Sequence, residues 1–318
     1  MLASAATLAL IGSAARARGL KWDWAVAGVL STFVYLYVVC VTCAILPWLS
    51  VSVPGMSNLA VLTVTTVLAL WCFVACIFFD PGRVPAGWQP DAEDGPKLQE
   101  VKKKDGGLRF CQKCGVHKPP RTHHCSVCQR CVLRMDHHCP WTGNCVGHGN
   151  YRAFFLLLLY GVAALWHATG LLLAHAWHVL SAVSADRVLR TGPSGRVTEA
   201  GSAGLWVHLV LEGLAFCLAA PAAVALSSLL SFHVRMVLTN KTTIEWREGV
   251  TAQLVSAMPL AGAPRGAHPY DIGVCNNLRE VLGESADEWC WPPVRPTPGG
   301  TSYPTVFDPG VRLPSYKR

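Results

Sequence analysis

Apolar residues fall in four long blocks, separated by polar stretches. Trp24 to Trp48 and Leu59 to Phe79 contain no charged side chain. Phe154 to about Trp177 adds two histidines and a threonine to an otherwise apolar run, and Gly204 to about Leu238 is interrupted by Pro221 and holds His208 and Glu212. Each block reaches the ~20 residues that span a ~30 Å hydrocarbon layer as a helix. Too little amphipathic sequence remains to bury four such helices in a soluble core. The pattern therefore predicts an all-α integral membrane protein with four transmembrane helices.

The blocks set the organisation. Residues 1–23 form an N-terminal segment, and 24–79 hold helices one and two. Residues 80–153 form a polar, Cys-rich module between helices two and three. Residues 154–238 hold helices three and four, with a lumenal loop at about 178–203. Residues 239–291 form a C-terminal segment. The Pro- and Gly-rich end, 292–318, is expected to be disordered. The first residues, "MLASAATLALIGSAARARG", have the Ala and Arg content of a transit peptide, but their apolar core is short, and they are read as a cytosolic tail.

Lys and Arg give the orientation. The stretch from Asp80 to Arg152 carries twelve of them, whereas Leu49 to Ser57 carries none. By the positive-inside rule the Cys-rich module and both termini face the cytosol. Arg187, Arg190 and Arg196 in the third loop weaken this without reversing it. Hydrophobic residues make up 52% of the 318 and charged residues 14%, with a net charge of +8, which suits a face beside anionic lipid. No basic recognition helix supports nucleic-acid binding, and the spans offer few of the midplane polar groups a transporter needs. His175, His178, His208 and Glu212 fall near the lumenal span ends, where they imply either interfacial solvation or a further metal site.

Seven of the fourteen cysteines lie between Cys111 and Cys145. On a reducing cytosolic face such clustering points to metal or catalysis rather than disulfides. Cys111/Cys114 and Cys125/Cys128 have the Cys-x2-Cys spacing of zinc knuckles, with Cys131, Cys139, Cys145, His123, His124, His137 and His138 as further candidates. Two tetrahedral zincs need eight ligands. Seven cysteines and one histidine supply them; so do six cysteines and two histidines, which leaves Cys139 free. The count does not choose.

The stretch "CQKCGVHKPPRTHHCSVCQRCVLRMDHHCPWTGNCVGHGN" resembles the Cys-rich domain of the DHHC-type protein S-acyltransferases (palmitoyltransferases). "DPG" at Asp80, "TTIE" at Thr242 and "HPYDIGVCNN" at His268 follow in that family's order. The resemblance implies two interleaved structural zincs, one on Cys111, Cys114, His124 and Cys131, the other on Cys125, Cys128, His138 and Cys145. It leaves Cys139 as the nucleophile, His137 as its base and Asp136 as the group that orients the imidazole. It implies transfer of a palmitoyl-type chain from acyl-CoA to Cys139 and on to cysteines of membrane-associated proteins, with no ATP because thioester exchange is near thermoneutral. It further implies that Thr243 hydrogen-bonds Asp136 and that Tyr270 and Asn277 pack against the spans. From the residues alone, a hydroxyl at Thr242 or Thr243 can equally cap a short helix near Glu245.

Trp141, Phe154, Leu157, Gly161 and Ala164 are candidates for an acyl-chain cavity, although Gly161 and Ala164 also suit plain helix packing. Lys118 and Arg121, with Arg130 and Arg134, are candidates for the CoA phosphates. The expected location is an endomembrane, Golgi or ER, with the plasma membrane as the other choice. The alternative function is a catalytically silent membrane zinc scaffold that recruits protein partners. The intact Asp136, His137 and Cys139 favour the enzyme.

Overall fold

The computed structural model describes residues 24–90, 98–102, 105–184, 199–250, 252–254 and 268–308. The chain forms two compact units. One is built from Ala27–Trp71 and Leu157–Leu230, the other around Cys72–Leu156 and the residues from Ser231 onward.

Among the described residues, four helices are long and apolar enough to cross a membrane. Helix α1 (Trp24–Val39) runs directly into a π-wound segment, Cys40–Leu49, which contains Pro47 and closes with Ser50 N–H donating to Ile45 O at 3.0 Å. The wider i→i+5 winding coincides with a proline that has no N–H to contribute. Helix α2 spans Val53–Phe78, α3 Tyr151–Ser184 and α4 Glu199–Leu238. The third helix runs past Trp177 to Ser184, and the fourth begins at Glu199, ahead of Gly204. The loop expected at about 178–203 shrinks accordingly; residues 185–198 lie outside the described ones.

The helical unit packs on small residues. Ala215, Ala219 and Ala223 are fully buried, and Leu36, Ile45, Leu62, Ala168 and Leu172 join the same interior. Alanines let helix backbones approach closely, which is how helices associate where lipid removes the hydrophobic drive. Tyr35 donates to Leu211 O at 2.9 Å, and Tyr37 bonds Thr63 at 2.9 Å. Val61, Leu173, Trp177, Val210, Leu214 and Val224 are exposed, an outer surface suited to lipid rather than water.

The other unit amends the expectation of an all-α chain. Helices remain the majority, but eight strands of two or three residues are described. β1 (Leu98–Glu100) pairs with β8 (Ala252–Leu254), β2 (Phe110–Cys111) with β3 (Val116–His117), β4 (His123–Cys125) with β5 (Arg130–Val132), and β6 (His137–Cys139) with β7 (Asn144–Val146), all antiparallel. Hairpins this short are marginal in water without an added constraint. Part of that constraint is the Asp80–Gly82 turn. Asp80 accepts two bonds from Arg130 at 2.9 and 3.0 Å, and Gly149 N–H donates to Pro81 O at 2.9 Å. A Cβ on Gly149 would stand 2.2 Å from Asp80 O, so only glycine allows this approach.

After α4 comes a short helix, α5 (Thr243–Glu248), whose N-cap is Thr242. The Thr242 hydroxyl accepts from Glu245 N–H at 3.2 Å while the Glu245 carboxylate accepts from Thr242 N–H at 2.9 Å, a complete capping box. Helix α6 (Val274–Leu282) follows, with Asn277 wholly buried and donating to Leu238 O at 2.7 Å.

The expected disorder of 292–318 is corrected for 292–308. Thr297 N–H donates to Gly149 O at 3.0 Å, His148 Nε2 meets Pro298 O at 2.8 Å, and Tyr303 is buried with its hydroxyl donating to Gly300 O at 2.9 Å. The prolines and glycines fit the segment closely to the Cys-rich module instead of freeing it. Residues 309–318 lie outside the described ones.

Candidate active site and metal centres

Alternation along two three-residue strands sorts the chemistry. Successive strand side chains point to opposite faces. In β4, His124 therefore points away from its neighbours His123 and Cys125. In β6, His138 points away from His137 and Cys139. The register sets His124 directly opposite Cys131 and His138 directly opposite Cys145.

Each cross-strand pair closes on one knuckle. Cys111, Cys114, His124 and Cys131 bring their ligand atoms within 4.8 Å of one another, and so do Cys125, Cys128, His138 and Cys145. His124 Nδ1 stands 3.6 and 3.2 Å from the sulfurs of Cys111 and Cys114. His138 Nδ1 stands 3.7, 3.5 and 3.6 Å from those of Cys125, Cys128 and Cys145. Tetrahedral zinc, with Zn–S of ~2.3 Å and Zn–N of ~2.0 Å, sets such edges at about 3.6 Å. The donors fit zinc, in two closed Cys3His sets. Adjacent residues His124 and Cys125 serve different sets, which is how the two interleave. Each knuckle turns through a left-handed residue, Gly115 (φ 65°) and Gln129 (φ 51°).

On the opposite face of β6 lie His137 and Cys139. His137 Nδ1 is 2.7 Å from Asp136 Oδ2. Asp136 is 1% exposed, and its Oδ1 accepts from Thr243 N–H at 2.9 Å. The Thr243 hydroxyl donates to the Asp136 backbone carbonyl. The carboxylate is thus held by the backbone of Thr243, and the side chain fixes the strand itself. Burial would lower the His137 pKa, but hydrogen bonds and charge from Asp136 and Cys139 outweigh it and hold the imidazole at about 9. Burial raises the Cys139 thiol, yet hydrogen bonds from His137 and Thr142 bring it below its ordinary value. Both directions favour an imidazolium–thiolate pair.

Residues 104–250 match the family described as DHHC palmitoyltransferase. The chain is 38% identical over 293 residues to probable protein S-acyltransferase 16 of Arabidopsis thaliana, covering 92% of this chain and 96% of that one. It is 36% identical over 239 residues to probable protein S-acyltransferase 15 of the same plant, covering 75% and 84%. It is 34% identical over 222 residues to palmitoyltransferase ZDHHC15A of Danio rerio, covering 67% and 59%. The chain belongs to the DHHC palmitoyltransferase family.

In this family member Arg121, a sequence candidate for the CoA phosphates, has its guanidinium engaged inside the protein. It is fully buried. Its guanidinium donates to both Glu245 oxygens at 2.7 and 2.8 Å and to Asn240 Oδ1 and O at 2.9 and 2.8 Å. The Tyr270 and Tyr303 rings lie 4.4 and 5.2 Å from its Cζ. Arg134 is likewise buried and donates to Asn240 Oδ1 at 3.1 Å. Lys118 is partly exposed and lines a cavity of about 330 Å³ with Arg109, His123, Glu100 and Glu248.

Of the acyl-cavity candidates, Trp141 is largely exposed on the turn after Cys139, while Phe154 is buried with its ring 5.1 Å from that of His137. Leu157, Gly161 and Ala164 belong to the helical unit, where Ala164 is buried and Gly161 faces Leu226. The five are not gathered in one unit. His175 Nδ1 lies 2.9 Å from both Glu212 oxygens, and the Trp48 ring covers His175 and His178. His208 is not in that group, and among the described residues the only metal-capable groups of three or more ligands are the two Cys3His sets.

Sequence reasoning passed over His233 and Tyr151. Both are buried, and the Tyr151 hydroxyl is 3.0 Å from His233 Nδ1. The available signal was an ionisable residue inside an apolar span.

Proposed function

We propose that this family member is a protein S-acyltransferase that moves a long-chain fatty acyl group, palmitoyl or similar, from acyl-CoA to cysteine thiols of membrane-associated proteins. The observation that carries the reading is the pair His137 and Cys139 on the face of β6 opposite His138, with Asp136, just before the strand, bonded to His137. Cys139 thiolate attacks the thioester carbonyl, forming a new S–acyl bond. The bond to CoA sulfur breaks, and the departing thiolate takes the proton from His137. A substrate thiol then gives its proton to His137 and attacks the acyl-enzyme, expelling Cys139 thiolate. Asp136 keeps the imidazole in one orientation through both steps and stabilises its charged form. When bound, the two zinc ions supply folding free energy, so that eight ligands hold β4 to β7 in register around the nucleophile.

The buried Phe154 beside His137 offers the acyl chain a wall, and partly exposed Lys118 is the remaining sequence-chosen partner for the CoA phosphates. The Lys/Arg distribution supports a cytosol-facing active site and cytosolic termini, and an endomembrane remains the proposed location.

The test is autoacylation of the purified, zinc-loaded protein with an alkyne analogue of palmitoyl-CoA. Wild type gains a hydroxylamine-labile label, and Cys139→Ser, folded and holding two zincs, gains none. Absence of label from both, with zinc intact, would put the silent scaffold in place of the enzyme.

A further inference from the structure

His233 sits in the last turns of α4, one of the apolar spans, and is 1% exposed. A phenylalanine would fill comparable volume without the cost of burying a polar ring. Its surroundings are specific. The Tyr151 hydroxyl, at the first residue of α3, is 3.0 Å from His233 Nδ1. The Tyr151 ring is itself held, with Arg134 Cζ 5.1 Å from its centroid. Phe154 stands edge-on between two imidazoles, 5.1 Å from His137 and 5.0 Å from His233, at interplanar angles of 70° and 75°. The two histidine rings are 6.2 Å apart.

The hydrogen bond accepted by Asp136 fixes one end of the His137 ring. The ring's other bond is to Cys139, whose sulfur becomes acylated, so during transfer that second contact cannot hold the ring. The wall it would swing into is Phe154 and His233. We propose that His233, anchored by Tyr151, is a positioning residue for acyl transfer: it fixes Phe154 and the His137 ring so that His137 stays aimed at Cys139. The inference rests on the reading of His137 as the proton carrier. His233 touches neither substrate nor the reacting sulfur; it acts through His137.

The test uses the full-length, zinc-loaded protein in detergent, as His233→Phe, His233→Gln, Tyr151→Phe and the His233→Phe/Tyr151→Phe double variant. Single-turnover autoacylation is followed across palmitoyl-CoA concentration, alongside zinc content, thermal midpoint and the rate of Cys139 alkylation by iodoacetamide at fixed pH. Misplaced proton carriers lose on the order of 10-fold or more in rate. His233→Phe is expected to lower the maximal rate about 10-fold by that reasoning, with the half-saturating concentration unchanged. His233→Gln, which can still bond Tyr151, recovers part of the rate. The double variant is no slower than the slower single, because the pair acts as one unit. Tyr151→Phe keeps the test alive should His233→Phe fail to fold. A full maximal rate in both Phe variants overturns the proposal, as does a loss that follows the thermal midpoint or zinc content. The alkylation rate separates this failure from failure of the function. If wild type takes no acyl label but alkylation of Cys139 slows in the Phe variants, the transferase reading falls and the positioning role stands.

Discussion

Replacing Glu245 with alanine is expected to destabilise the Cys-rich unit far more than any surface charge change. Arg121 is 0% exposed, and among the described residues Glu245 is its carboxylate partner, at 2.7 and 2.8 Å. Removing one partner of a buried pair leaves an uncompensated charge, which costs about 3–5 kcal/mol. The Glu245 carboxyl reflects the same contact. Burial raises the Glu245 carboxyl, but the Arg121 charge outweighs it and holds the pKa at about 2. Against an ordinary value of ~4.3 that is worth about 3 kcal/mol. The lost capping box adds roughly 1 kcal/mol. At ~2–4 °C per kcal/mol the thermal midpoint should fall on the order of 10 °C. The comparison is Lys102→Ala, which removes an exposed 3.5 Å pair with Asp105 and should cost well under ~1 kcal/mol. The assay is tryptophan fluorescence on heating in detergent at neutral pH, with zinc held in excess. Equal midpoint shifts for the two variants would refute the reasoning, since burial would then not decide the cost of the lost charge.

Two further outcomes follow from the same contacts. Burial holds His268, 3.6 Å from Glu245, down at about 4, so its contribution is present at neutral pH and is lost as pH falls from ~6.5 towards about 4. Glu245's contribution is present above ~4.3 and is lost as pH falls through about 2. The midpoint difference between wild type and Glu245→Gln should therefore hold steady down to about pH 4 and shrink below it; a difference that grows on acidification would contradict the sign. Cys128→Ala should drop zinc from two equivalents to one and loosen β6, with trypsin cleavage near Cys139 as the readout; retention of two tightly held equivalents would mean that the donor sets are misassigned.

The spans were legible because length and hydropathy suffice for a helix in lipid. The knuckles were legible from spacing, but the sharing of ligands between two zincs was not. Each of β4 and β6 is three residues long, too short for alternation to show as a pattern, and yet alternation sends His124 and Cys125 to different sites. The burial of Arg121 was not legible because its partner lies 124 residues away, so nothing local marks it. The C-terminal segment was misread because Pro and Gly content reports the absence of helix and strand, not the absence of packing; Tyr303 beside Arg121 was the residue that mattered. His233 lies in an apolar run, and its partner Tyr151 is 82 residues away, so nothing local marks the pair.

The interleaving of the ligand sets also dictates an order of events at the ribosome. The first set closes only when Cys131 emerges, and by then Cys125 and Cys128 of the second set are already out. A nascent chain therefore offers one arriving zinc ion five thiolates, of which three are correct. An ion captured by sulfurs of both sets must be handed from one sulfur to another before both sets can close. Metal supply during synthesis, and not only the finished sequence, is then expected to influence how much of the chain is correctly loaded.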